Sequence, residues 1–225
     1  MGIFRDVTWK GDAGEGRIYV IIAVFILIVV VFAVVFGSSQ LTPAYIPDNF
    51  LGEGWSENIG ERDSGSQFLG LEKWCSITYM IDERYPAYLT VTTIKTLIMM
   101  NENELRDKTI ETIEKALQQG IAIDNNTKVT GERILKNRHK TMYIIYDGND
   151  TSKDPSEKIK IIGEIWNCGA SGTSIICIGV AQITDNVHNN SEINTVYWKK
   201  IVRDENGVID DFVGDDGLIY NVICH

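Results

Sequence analysis

Residues 128–183 read KVTGERILKNRHKTMYIIYDGNDTSKDPSEKIKIIGEIWNCGASGTSIICIGVAQI. Four runs in this stretch, KVTGERIL, KTMYIIY, KIKIIGEIWN and TSIICIGVAQI, are dense in Ile, Val, Thr and Tyr. Such residues suit a pleated, half-buried surface. The runs are separated by KNRH, by the polar loop DGNDTSKDPSE and by Gly169-Ala170-Ser171-Gly172. Links this short cannot carry parallel crossovers, so the four runs are expected to form an antiparallel meander.

Upstream of the meander the pattern is again strand-like. WSENIGERDSG (55–65) reads as a short strand with a turn at Asp63-Ser64-Gly65, and LEKWCSITYM (71–80) as a second. Tyr85-Pro86 breaks the chain before AYLTVTTIKTLIM (87–99). One long helix is predicted over Glu102 to Gln119. Asn101 is its candidate N-cap, with Glu104 three residues on. Leu105, Ile110, Ile113, Ala116 and Leu117 form its apolar stripe, and Gly120 stands at the usual stop. Downstream, INTVYWKKIVR (193–203) suggests a short helix, Asn206-Gly207 a tight turn, and GLIYNVIC (217–224) a closing strand. The expected fold class is α+β: a mostly antiparallel sheet with one long and one short helix, preceded by a single transmembrane helix.

That membrane segment is Ile18 to Phe36, IYVIIAVFILIVVVFAVVF, a run with no charge, amide or proline. As a helix it spans about 28 Å, close to the hydrocarbon thickness of a bilayer. Arg5, Lys10 and Arg17 precede it, and no basic residue follows until Arg62. The positive-inside rule therefore places residues 1–17 in the cytoplasm and the C-terminal domain outside. Val35 and Gly37 also fit a signal-peptidase site before Ser38, but the run exceeds the roughly 7–15 apolar residues of a signal peptide, which favours retention. Lys10-Gly11-Asp12-Ala13 resembles an archaeal prepilin site, yet the apolar run begins several residues too late for one. Residues 37–50, which include Ser, Gly and Pro, are expected to be a stalk, and 51–225 the exterior domain.

The formal charge of −10 falls after the membrane segment, because residues 1–17 balance their three basic residues with Asp6, Asp12 and Glu15. Such an acidic domain repels phosphate backbones, which argues against a nucleic-acid partner. The partners expected are the lipid bilayer and another protein or a second copy of the chain.

All four cysteines, Cys75, Cys168, Cys177 and Cys224, lie in the exterior domain, where an even set favours disulfides. Three connectivities are open, with Cys224 to Cys75 or Cys168 the pairings that pin the terminal strand. A metal site is the sharper alternative: Cys224 and His225 are candidate ligands, and Cys168, Cys177, His139 and His188 could converge on them. No C-x-x-C or H-x-x-x-H spacing pre-forms half of such a site, and no C-x-x-C-H attaches haem. Asp204, Asp210, Asp211, Asp215 and Asp216 are candidate calcium ligands, although the bidentate Glu of an EF-hand loop is missing. A solvated hairpin with an Asn-Gly turn is the favoured reading of these residues. Ser171 fails the nucleophile-elbow pattern because Thr173 stands where glycine is required. No cofactor and no catalytic residue is expected. Asn125, Asn149 and Asn189 each open an N-x-S/T sequence in a predicted loop and are candidate glycosylation sites.

The order of short strands, long strand, amphipathic helix, meander and Trp-containing helix resembles the PsbP/Mog1-type α/β/α sandwich. The local echoes are GWSENI (54–59), EKW (72–74), AYLTV (87–91) and YW (197–198), within residues 53–205. Members of that superfamily are mostly accessory or binding proteins, so the resemblance implies a non-catalytic role. No family residue carries over onto a position here. The function expected from the sequence is that of a membrane-anchored accessory or assembly subunit, with a metal- or ligand-binding envelope sensor as the alternative.

Overall fold

The computed structural model describes residues 41–52, 54–117, 120–184 and 193–225. The chain divides into two units, residues 1–39 and 40–225, and the described residues all belong to the second. The expected transmembrane segment 18–36 lies outside the described residues. Among the described residues no helix is long and apolar enough to cross a membrane.

The domain is α+β around one antiparallel sheet. Its strands are β1 (Ser56–Glu57), β2 (Asp63–Gln67), β3 (Glu72–Ile81), β4 (Ala87–Thr96), β5 (Ile121–Ile134), β6 (Lys140–Asp150), β7 (Glu157–Cys168) and β8 (Thr173–Gln182). The helices are α1 (Asp48–Leu51), α2 (Glu102–Leu117) and α3 (Val196–Val202). The sheet order is β1-β3-β4-β8-β7-β6-β5, and β2 shares the edge beside β3 with β1. The meander β5–β6–β7–β8 forms as its short links require, with every neighbouring pair antiparallel. β8 then returns to β4 at the sheet centre, so the connection through α2 crosses the sheet to its far edge.

Strand alternation sends two sets of side chains to opposite faces. On one face Ile77, Tyr79, Leu89, Val91, Ile162, Trp166 and Ile175 form the main core. It is closed by both ends of the domain: Ala44, Ile46 and Leu51 from the start, and Trp198, Ile201, Leu218 and Ile219 from the end. Residues 44 and 46, read from sequence as stalk, are therefore packed core. On the other face α2 lays Leu105 and Ile113 over Ile94, Ile144, Ile161 and Ile165. The side chains of Ala116 and Leu117 lie outside the described set.

α2 begins as its sequence specifies. The Asn101 side chain accepts from the Asn103 and Glu104 N–H groups, and Glu104 accepts in return from the Asn101 N–H at 3.0 Å. These reciprocal bonds satisfy N-terminal donors that the helix itself cannot pair. Gly163 on β7 lets the helix approach, since a Cβ there would stand 2.6 Å from Thr109 Cγ2.

Two local expectations are corrected. Residues 55–65 form two short strands with a 3-10 turn at Ile59–Glu61 between them. The closing strand 217–224 is instead a 3-10 turn at Ile219–Asn221 followed by a single bridge from Ile223 to Tyr45. There Asn221 Nδ2 donates to the carbonyls of Asp215 (2.6 Å) and Gly217 (2.8 Å), curling the backbone locally. The segment lies on the sheet face, so no strand edge offers it a ladder.

Candidate metal centre

The β5–β6 hairpin, the end of β7 and the C-terminal segment meet at one end of the sheet. In the β6–β7 register Met142 faces Ile165 and Tyr143 faces Glu164. Continued outward, that register puts His139, just before β6, across from Cys168 at the end of β7. Arg138 in the hairpin turn has φ 65°, in the left-handed region. The His139 N–H donates to Asn137 Oδ1 at 3.2 Å, fixing the approach to the histidine.

The third and fourth groups arrive on residues 222–225. Tyr45 and Ile223 exchange both backbone hydrogen bonds, at 3.0 and 2.8 Å. Asn137 Nδ2 donates to the Val222 carbonyl at 3.0 Å, and Lys136 Nζ to Asn221 Oδ1 at 3.2 Å. Held from both sides, the segment delivers Cys224 and His225 to the hairpin.

One ligand atom from each of His139, Cys168, Cys224 and His225 lies within 4.8 Å of all the others. Cys224 Sγ is 3.2 Å from His139 Nε2 and 3.5 Å from His225 Nδ1, and Cys168 Sγ is 3.3 Å from His225 Nδ1. Tetrahedral zinc, with bonds of about 2.3 Å to sulfur and 2.0–2.1 Å to nitrogen, sets neighbouring S and N atoms about 3.6 Å apart. These three sulfur–nitrogen spacings fall just below that value. The two imidazole rings stand edge to face at 88°, with centroids 5.5 Å apart, so their nitrogens converge without the rings stacking.

The electrostatics suit a cation. Burial pushes the Cys224 thiol up, with Cys168 beside it adding to the rise, to about 12. Burial also raises Cys168, but hydrogen bonds from Cys224, Ser171 and His225 outweigh it and leave that thiol below its ordinary range. One negative charge in the pair therefore disfavours a second, and a positive ion between them would stabilise both thiolates. Burial, and then the neighbouring His225, hold His139 below the usual histidine value, in the neutral form that ligates metals. The buried Trp166 indole N–H makes no conventional hydrogen bond and favours a thiolate at Cys224 beside it.

Other sequence candidates do not converge. All four cysteines are free thiols, which corrects the expectation of a disulfide. Cys75 pairs with Thr93 and Cys177 faces Val91 and Glu164 in the sheet, so neither meets another cysteine. Cys168 and Cys224 do meet, but each also meets an imidazole. His188 and Asn189 lie outside the described residues. Asn125 is exposed in the β5 bulge, whereas Asn149 is half-buried within β6 and not in a loop.

The acidic residues are dispersed too. Asp204 is buried against Arg133, Asp210 accepts from Trp198 Nε1 at 3.1 Å, and Asp216 bridges Lys200 and Arg203. Asp211 and Asp215 are exposed. Among the described residues they form no group that could share an ion, and the Cys/His set is the one that does. Ser171 Oγ lies 2.6 Å from Thr173 Oγ1. Cys168 with His225 has the composition of a thiol nucleophile and its base, but Cys168 is fully buried, leaving no approach for a substrate.

His139 and Cys168 stand out in the sequence only as residues free to converge. The signal that could have joined them is the register of the meander, which sets them opposite each other once the β6–β7 loop length is fixed. Comparison with known protein families, curated proteins and solved structures finds no match for this chain.

Proposed function

We propose that this chain is a membrane-anchored domain that binds a zinc-class divalent cation through His139, Cys168, Cys224 and His225. The observation that carries the reading is the convergence of two thiols and two imidazoles within 4.8 Å. Mixed sulfur and nitrogen ligands in a tetrahedral arrangement select zinc over the oxygen-preferring calcium and magnesium. Four protein ligands fill a tetrahedral shell and leave no open position for a substrate. That supports a structural, non-catalytic role. The ion fastens residues 217–225, which cover the main core, to the far end of the meander. An extracytoplasmic accessory protein with this device couples the integrity of its fold to metal supply. The localisation follows from the charge-free run 18–36 and the basic residues before it.

The test is a titration of the reduced, chelator-stripped full chain in detergent with Co²⁺, followed by Zn²⁺. One equivalent of Co²⁺ is expected to give intense thiolate charge-transfer and tetrahedral ligand-field bands, which Zn²⁺ then abolishes. Cys168→Ser and His139→Ala should each lose them. Weak octahedral absorption in the parent chain would sink the proposal.

A further inference from the structure

The sheet ends at β5 in an open strand edge. β5 pairs with β6 alone, and among the described residues no strand lies on its far side. The Leu135 N–H donates to the His139 carbonyl at 3.0 Å. The same register carries back through Arg133 facing Thr141 and Gly131 facing Tyr143 to Val129 facing Ile145. Strand alternation therefore turns the backbone groups of Val129, Gly131 and Arg133 towards β6, and those of Thr130, Glu132 and Ile134 outwards. Before Val129 the ladder shifts in the bulge that reaches back to Asp124, so the regular edge is 129–134. Val129 is 53% exposed and Ile134 61%, which leaves this edge open to solvent. A row of outward N–H and C=O groups of this kind is a template for another strand.

Side-chain chemistry identifies that strand as β5 of a second copy. When two β5 edges meet antiparallel, outward-facing residues must face outward-facing residues, so the allowed registers differ by steps of two. One of them sets Thr130 against its own counterpart on a two-fold axis and Lys128 against the copy's Glu132 on either side. Both charges stand on the face that α2 covers: Glu132 pairs with Met142 in the sheet, and Lys128 Nζ lies 6.0 Å from the centre of the Tyr146 ring. Among the described residues Lys128 has no carboxylate partner. Glu132 gives Oε2 to Lys140 at 2.7 Å, which leaves Oε1 for the copy's lysine. On the other face the same register lays Val129 across the copy's Gly131. The Tyr143 side chain already covers that glycine, where a Cβ would stand 2.3 Å from the Tyr143 hydroxyl oxygen, so the exposed valine packs on Tyr143. The registers one step to either side leave the charges unmatched: Lys128 faces Ile134 or Thr130, and Glu132 faces Thr130 or Asn126. An edge lysine ordinarily keeps strands apart, and here a glutamate four residues on makes the edge complementary to its own antiparallel copy.

We propose that the chain forms a two-fold symmetric dimer by antiparallel pairing of its β5 edges, with Thr130 on the axis and two Lys128–Glu132 ion pairs across the seam. The contact is isologous, each copy offering the same surface to the other. Main-chain hydrogen bonds hold the two strands together, and the charges set their register. Each exposed ion pair contributes little by itself, but a like-charge pair in its place opposes the pairing. The axis stands normal to the sheet, so the two sheets join into one and both α2 helices lie on the same face. The dimer owes nothing to the metal centre or to residues 18–36.

The test measures the mass of the full chain in detergent by light scattering after size exclusion, corrected for bound detergent. The parent is expected at twice the protomer mass. Thr130→Pro removes an outward N–H that the fold itself does not use, a position where an edge strand tolerates proline, and should halve the mass without changing the circular dichroism. Lys128→Glu and Glu132→Lys each set like charges across the seam and should also run as protomers. Mixed in equal amounts, these two single variants form two opposite-charge pairs in the same register, and the mass should double again. That recovery also shows that each variant is folded. A parent at protomer mass throughout its soluble range would overturn the proposal. A dimer that persists in Thr130→Pro would place the contact on another surface, and a mixture that stays at protomer mass would exclude this register. Either result overturns the proposal.

Discussion

Arg133 and Glu164 meet on the covered face of the sheet, Nη2 to Oε2 at 2.5 Å, with neither side chain exposed to solvent. They belong to β5 and β7, and Thr141 of the intervening β6 donates to Glu164 Oε1 at 2.6 Å. Asp204, from the C-terminal segment, takes Arg133 Nη1 at 3.1 Å, and the same nitrogen donates to the Val202 carbonyl. One guanidinium thus ties the terminal segment to the meander through two buried carboxylates.

Removing the cation from this set should be costly, because two carboxylates then stay buried without a countercharge. Arg133→Met is expected to lower the unfolding free energy by about 3–5 kcal/mol. Glu164→Gln leaves Asp204 to balance Arg133 and should cost less. Urea unfolding of the full chain in detergent measures both. A loss under about 1 kcal/mol for Arg133→Met would show that water reaches the pair.

Gly163 sits directly beneath α2, and a Cβ there would press on Thr109 Cγ2 at 2.6 Å and on Ile113 Cδ1 at 3.0 Å. Gly163→Ala should therefore force the helix outward and destabilise by about 1–3 kcal/mol. A Cβ at Gly169, in the β7–β8 turn, would meet nothing within 4 Å. Gly169→Ala should stay within about 0.5 kcal/mol of the parent. Equal thermal midpoints for the two variants would contradict the close packing of α2 on β7.

The sheet was legible because its signals are local. The meander runs carry β-branched residues between short links, and α2 carries its own capping residues, Asn101 and Glu104. The terminal segment misled because GLIYNVIC has strand composition, while its conformation is set by tertiary contacts: Asn221 bonding back to Asp215 and Gly217, and the chain lying across a sheet face. Nothing local to Arg133 signals burial, and only its partners Glu164 and Asp204, 31 and 71 residues away, make its burial tolerable. The metal ligands share that long range. His139 and Cys168 come together through strand register, and Cys224 through its neighbour Ile223 pairing with Tyr45.

Zinc binding should weaken as pH falls. Cys224 holds its proton up to about 12 in the metal-free protein, and a cation must displace it to take the thiolate. Each proton released makes apparent affinity rise about tenfold per pH unit below the thiol pKa. His139 adds little near neutrality, since its folded value lies below the ordinary histidine range and the ring is already neutral. The same shift acts on stability. The unfolded imidazole takes up its proton first on acidification, so the metal-free fold should lose stability as pH falls through about 6.5. Calorimetry of zinc binding in buffers of different ionisation enthalpy reads the proton release directly. Heats independent of buffer would overturn this account.

Thiol reactivity separates the ion-binding site from a disulfide. Cys75 is the least buried cysteine, although burial raises its pKa and keeps its thiolate scarce. Cys177 is fully buried and should react with iodoacetamide only when the domain unfolds. Cys168 and Cys224 are buried by the terminal segment, so they should react on its local opening. Zinc is expected to slow alkylation at Cys168 and Cys224 together while leaving Cys75 unchanged, because the ion bonds both sulfurs at once and nothing on β3. Peptide mass mapping of each site gives the rates. A disulfide between Cys168 and Cys224 would also protect both sites, but the protection would persist in chelator and vanish with reductant. Protection that instead vanishes in chelator and survives a phosphine reductant belongs to the metal.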